Sequence, residues 1–165
     1  MIFKTAMARA LLLFAALLIL VGCQTLPLDA KVKRSIEKMA DSPRAERRAV
    51  QTIRELGLPA VPYMVKYMDD DRELPVKHIM VDLRLWEISH YNPQTVSAML
   101  GYLIREIAAQ YPDIRRKVFA IKFHPIRRDQ YDEEEIAKWR VWCAEQWPDL
   151  ADTCWNKDKA RDSRK

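Results

Sequence analysis

The sequence predicts an all-α domain of about six helices, packed as a short array of helix pairs or as an irregular bundle. Three observations predict it. Beyond residue 22 only Gly57 and Gly101 are glycine, whereas hairpin turns and phosphate loops lean on glycine for positive φ. Prolines fall where helices start, in Ser42-Pro43, Leu74-Pro75, Asn92-Pro93 and Tyr111-Pro112, and a first-turn amide has no helical partner to lose. Between these marks apolar residues recur with a period close to 3.6.

The elements follow in order. Residues 43–56 carry Ala49, Val50, Ile53 and Leu56 on one stripe; Ser42 is a good N-cap and Gly57 a left-handed stop. Residues 60–68 repeat the pattern with Val61, Met64, Val65 and Met68. A third helix is expected over about 75–90, on Val76, Ile79, Met80, Leu83 and Trp86. A fourth, about 93–110, carries Val96, Met99, Leu100, Leu103, Ile104, Ile107 and Ala108, with Asn92 as its cap. It is the most apolar and belongs at the centre. A fifth, about 112–122, carries Ile114, Val118 and Ile121, and a sixth, about 132–147, carries Ile136, Trp139, Trp142 and Cys143. Asp132 and Glu133 to Glu135 load the sixth helix start with negative charge, which the helix dipole favours.

The N-terminus reads differently. Lys4 and Arg9 precede an unbroken apolar run from Ala10 to Val21, with no acid in residues 1–22. That is the charged and apolar layout of an export signal. The run is 12 residues, short of the roughly 20 that span a bilayer. Leu20-Val21-Gly22-Cys23 resembles the lipobox of bacterial lipoproteins. The resemblance implies that residues 1–22 are a cleaved signal peptide and that Cys23 is diacylated on sulfur and acylated on its new amine. Residues 23–30 would then form a lipidated N-terminus and linker ahead of a helical domain over 31–155. One acyl chain anchors only marginally, so lasting attachment needs two or three. Gln24 stands where inner-membrane lipoproteins resemble one another in carrying Asp, which gives the outer membrane, periplasmic side, as the address.

Cleavage would leave 143 residues, with 26 Lys and Arg against 23 acids, enough for one domain. The small excess and the export signal argue against a nucleic-acid partner. Basic residues in "VKRSIEKM", "RAERRAV" and "IRRKVF" alternate with apolar positions at helical spacing and read as solvated helix faces.

Residues 48–71, "RAVQTIRELGLPAVPYMVKYMDDD", resemble a HEAT repeat. One helix ends at Leu56-Gly57, Leu58-Pro59 turns, and a second opens Ala60-Val61-Pro62. Two such helices expose faces that only stacked neighbours cover. Residues 75–110 are a looser second pair.

With Cys23 taken by lipid, Cys143 and Cys154 remain as an even pair in an oxidising compartment. On one continuous helix they would lie about 16 Å apart, beyond the roughly 7 Å limit for a bridge. Pro148 breaks the helix and lets the chain fold back into a disulfide, with Trp139, Trp142, Trp147 and Trp155 packed around it. Two separate buried thiols are the alternative.

No catalytic signature is present: Gly-x-Ser-x-Gly, His-Glu-x-x-His and phosphate-loop motifs are absent, and His78, His90 and His124 are isolated. The expectation is no enzyme, no cofactor and no metal site. Asp69-Asp70-Asp71 lacks the alternating spacing and turn glycine of a calcium loop and reads as an interhelix turn. Met64, Met68, Met80 and Met99 read as packing. Residues 156–165 are polar and aperiodic and read as a disordered tail. Its final Arg164-Lys165 looks like the end of the murein lipoprotein, implying peptidoglycan tethering through Lys165 as an alternative role. The leading expectation is a helical scaffold for an envelope protein partner, contacted through Tyr63, Tyr67, Arg84, Tyr91, Tyr102 and Arg105 on exposed sides, since Tyr and Arg combine contact area with hydrogen bonding.

Overall fold

The computed structural model describes residues 26–76, 80–82, 89–91, 93–121 and 131–155. Among them the chain is all-α in class, with six α-helices and one short antiparallel hairpin. Cys23 with its lipobox, the signal segment 1–22, Arg84, His78, His124 and the tail ending in Lys165 lie outside the described residues.

Helix α1, Leu28–Met39, starts inside the stretch expected as linker. Val32, Ile36 and Met39, spaced i, i+4, i+7, are its buried face. Pro27 supplies no side-chain cap, and Asp29 in the first turn is the local signal at the helix start. The C-terminal end is closed from afar: Arg72 donates to the carbonyls of Ile36 at 3.0 Å and Glu37 at 2.9 Å. Asp70 holds Arg72 in place through a 2.7 Å ion pair. That hydrogen bond raises the guanidinium pKa further above its ordinary value, against the opposing effect of partial burial.

Helix α2, Pro43–Leu56, has the ends the sequence announces. Ser42 Oγ accepts from the Ala45 amide at 3.2 Å. Gly57 adopts φ 64° while its amide donates to the Ile53 carbonyl at 3.1 Å. Residues 40–42 are all that joins α1 to α2, and the two helices pack side by side. A 3₁₀ turn, Leu58–Ala60, leads into α3, Val61–Val65. This helix is shorter than the expected 60–68, because the chain turns over residues 66–69 and Ser97 Oγ captures the Met68 carbonyl at 2.7 Å.

Among the described residues the helix expected over 75–90 is not found. Strand β1, Met80–Asp82, pairs antiparallel with β2, Ser89–Tyr91, in the register Met80↔Tyr91, Val81↔His90, Asp82↔Ser89. Val81-Asp82-Leu83-Arg84-Leu85 alternates apolar and polar, a strand period running through residues that also fit 3.6. Pro75 and Pro93 favour extended backbone just before them. A bridge between Glu73 and Thr95 closes the base of the excursion, with the Leu74 amide donating to Gln94 and the Val96 amide to Arg72. Among the described residues, 80–82 and 89–91 are thus strands where the looser second repeat pair expected a helix.

For the same reason α4, Val96–Ala108, starts three residues after Pro93, and its cap is Thr95, which accepts from the Ala98 amide at 3.3 Å. It is the central helix, packed against α2, α3 and α5. Val96, Met99, Leu100, Leu103 and Ile104 are fully buried, each contributing roughly 1.5–3 kcal/mol of transfer free energy. A Cβ at Gly101 would overlap the Tyr131 hydroxyl, so glycine is what lets the chain before α6 close on α4.

Helix α5, Pro112–Ala120, buries Ile114 and Val118. Helix α6, Glu133–Gln146, opens with a capping box: Asp132 accepts from the Glu135 amide at 2.8 Å and Glu135 accepts from the Asp132 amide at 3.1 Å. After Trp147 a 3₁₀ turn, Pro148–Leu150, reverses the chain, and Cys143 and Cys154 are joined by a disulfide across Cα atoms 6.0 Å apart. Trp139, Trp142 and Trp147 form a run of edge-to-face contacts at 5.6 and 5.5 Å, which Tyr131 extends at 6.4 Å. Trp155 does not join this run; it is 41% exposed and its ring faces the Arg140 guanidinium, 5.9 Å away.

Candidate partner-binding cleft

Three elements of the fold meet at one surface depression. The exposed flank of α1 brings Asp29 and Lys33, one turn apart. Helix α3 and the turn after it bring Tyr63, Lys66 and Tyr67. The segment pinned by the disulfide brings Asp152, Thr153 and Trp155. The cleft holds about 420 Å³.

Each wall is positioned by something beneath it. Val61, Met64, Val65 and Met68 are fully buried on the inner side of the α3 region, which turns Tyr63 and Tyr67 outward, half-buried against the core. Lys66 Nζ sits 5.8 Å from the Tyr67 ring centroid, a cation–π contact. Cys154 is fully buried, donates its amide to Leu150 and Ala151, and so fixes the adjoining Trp155 at the rim. Arg140 on α6 braces that rim from below, 3.3 Å from Asp69 and stacked on Trp155.

Chemically the cleft offers two phenols, an indole, two ammonium groups and two carboxylates. Large amphipathic rings supply contact area and polar tips, and the charges of both signs favour a polar polypeptide over a purely apolar ligand. Among the described residues no group of three or more His, Cys, Asp or Glu is arranged to hold a metal ion.

Of the six residues expected to bind a partner, the structure brings Tyr63 and Tyr67 together. Tyr102 is half-buried against the core and does not line the cleft. Tyr91 lies on β2 opposite Met80, and Arg84 falls outside the described residues. Arg105, expected on an exposed side, is only 7% exposed. Its guanidinium lies 5.4 Å from the Trp139 ring and 5.9 Å from Phe119, and donates to the Ile121 carbonyl at 3.2 Å. Aromatic faces and a carbonyl make burial tolerable for a cation whose stem is apolar, and Arg105 is thus a joint between α4, α5 and α6.

Sequence reasoning missed Lys33, Lys66, Asp152 and Trp155. For Trp155 a signal existed: a residue next to a bridged cysteine has its place fixed by the bridge. A larger groove of about 650 Å³, lined by Ile121, Val141 and Trp142 among others, runs between α5 and α6. Its lining stops at Ile121, the last residue before an undescribed stretch. Comparison with protein-family models, with curated proteins and with solved structures returns no match for this chain.

Proposed function

We propose that this chain is an outer-membrane lipoprotein, cleaved before Cys23, acylated there and facing the periplasm, whose helical domain, one HEAT-like helix pair within an irregular bundle, is a scaffold for a protein partner. The observation that carries the reading is the convergence of Tyr63, Tyr67 and Trp155 on one cleft built from three separate elements. Stacked-helix surfaces serve recognition more often than chemistry, and the cleft is lined by the residue types that dominate binding energy at interfaces. The anchor follows from the sequence signal. It fits a domain in which, among the described residues, no helix is long and apolar enough to cross a membrane.

Two experiments test the two halves separately. In cells fed a labelled fatty acid, the chain takes up label and Cys23→Ser abolishes both label and processing; a variant still labelled and cleaved overturns the anchor. In-cell crosslinking of the tagged full chain recovers a defined envelope protein, and Tyr67→Ala with Trp155→Ala loses it. Recovery of peptidoglycan fragments on Lys165 in place of a protein would identify a wall tether instead.

A further inference from the structure

Helix α1 has a second polar flank, turned away from the cleft. Lys31, Arg34 and Lys38, at i, i+3 and i+7, line a groove of about 320 Å³ against α2, whose Arg48 faces them across a floor of Ala45, Ala49 and Thr52. Four cations and no carboxylate line it. None of the four takes part in an ion pair among the described residues; the neighbouring Glu37 is engaged by Lys33 on the other flank. The small side chains of Ala45 and Ala49 keep the groove open where longer ones would fill it.

The groove's mouth carries an apolar residue, Leu26, 44% exposed. Leu26 also marks where the undescribed N-terminal chain enters, three residues after Cys23. Three residues span at most about 11 Å, close to the Debye length of about 8 Å at physiological ionic strength. A chain anchored at Cys23 would therefore bring the Leu26 end of the groove close to the headgroup layer, and the remaining cations follow along α1 from that end. Guanidinium and ammonium groups with no internal acid match a headgroup of net negative charge better than a zwitterionic one, whose phosphodiester is already balanced by its own ammonium.

We propose that the α1–α2 groove binds the phosphate headgroup of an anionic phospholipid in the anchoring leaflet, orienting the domain on the membrane with the Tyr63–Trp155 cleft on the other flank of α1. This rests on the anchor proposed above. The test uses the full-length protein purified from membranes and placed in nanodiscs of phosphatidylcholine alone or with added phosphatidylglycerol. Amine labelling read by mass spectrometry should show Lys31 and Lys38 reacting about fivefold more slowly in the anionic discs. Lys33 and Lys117 should be unchanged, and Arg34→Glu with Arg48→Glu should remove the difference. Equal rates at Lys31 and Lys38 in both discs, or equal slowing at all four lysines, overturn the proposal. So does protection by a glutamate-rich peptide in neutral discs where phosphatidylglycerol gives none, since the groove would then be a protein site. The intact mass of the same preparation reads acylation of Cys23 independently, so a missing anchor is distinguished from an unoccupied groove.

Discussion

The two walls of the cleft are held by different physics. The α1–α3 wall stands on a continuous apolar layer in which Val32, Ile36, Ile53, Val61, Met64 and Val65 are all buried. The opposite wall, residues 148–155, has one buried residue, Cys154. A segment with no apolar face cannot be placed by the hydrophobic effect, so the covalent bond to Cys143 places it. The first wall should therefore fail only with the whole domain. The second can be released by itself.

The largest expected effect breaks the first wall. Met64→Ala removes a fully buried side chain and should cost about 3–4 kcal/mol of global stability, read by urea denaturation, with both walls lost in one transition. Next is the disulfide. Reduction, or Cys143→Ser with Cys154→Ser, opens an 11-residue loop and should cost about 3 kcal/mol. Hydrogen exchange should then rise at residues 150–155 while α2 amides stay protected. Equal deprotection of both regions would show that the walls are not independent.

How much of this was legible in the sequence depends on whether a signal was local. Ser42, Gly57 and the Asp132 capping box mark helix ends through neighbours in the chain, and the α4 stripe is apolar enough to read unaided. Pro148 made the Cys143–Cys154 bridge readable by forbidding the straight helix. The start of α1 is marked only by Asp29 in its first turn, since Pro27 gives no side-chain cap, and its far end is closed by Arg72, thirty-five residues away from Glu37. Residues 75–90 satisfy two periods at once, and the pairing of Glu73 with Thr95 decides between them. Arg105 belonged to the polar side of a helix until Trp139 and Phe119 arrived from α6 and α5. The basic groove was hidden for a related reason: Lys31, Arg34 and Lys38 on one helix and Arg48 on the next look like separate solvated faces until the helices pack.

Smaller effects sharpen the contrast. Gly57→Ala meets no steric neighbour but must adopt φ 64° with ψ −148°, a conformation nearly confined to glycine that costs about 2 kcal/mol, read as a shift in thermal midpoint with the disulfide intact. Arg54→Ala breaks the ion pair to Glu106 that ties α2 to α4 at 2.9 Å. Both partners are partly exposed, so the loss should be only about 0.5 kcal/mol, and a loss above that of Gly57→Ala would show that charge, rather than apolar packing, ties α2 to α4.

The cleft between these walls is proposed to recruit a protein. A photoreactive amino acid placed at Tyr63 in the full chain, in living cells, tests it most directly, with Arg116 on α5 as the control position. One discrete protein adduct is expected from position 63, absent from position 116 and lost when Cys143→Ser and Cys154→Ser release the Trp155 wall. No adduct at position 63, or the same adduct from both positions, would contradict it.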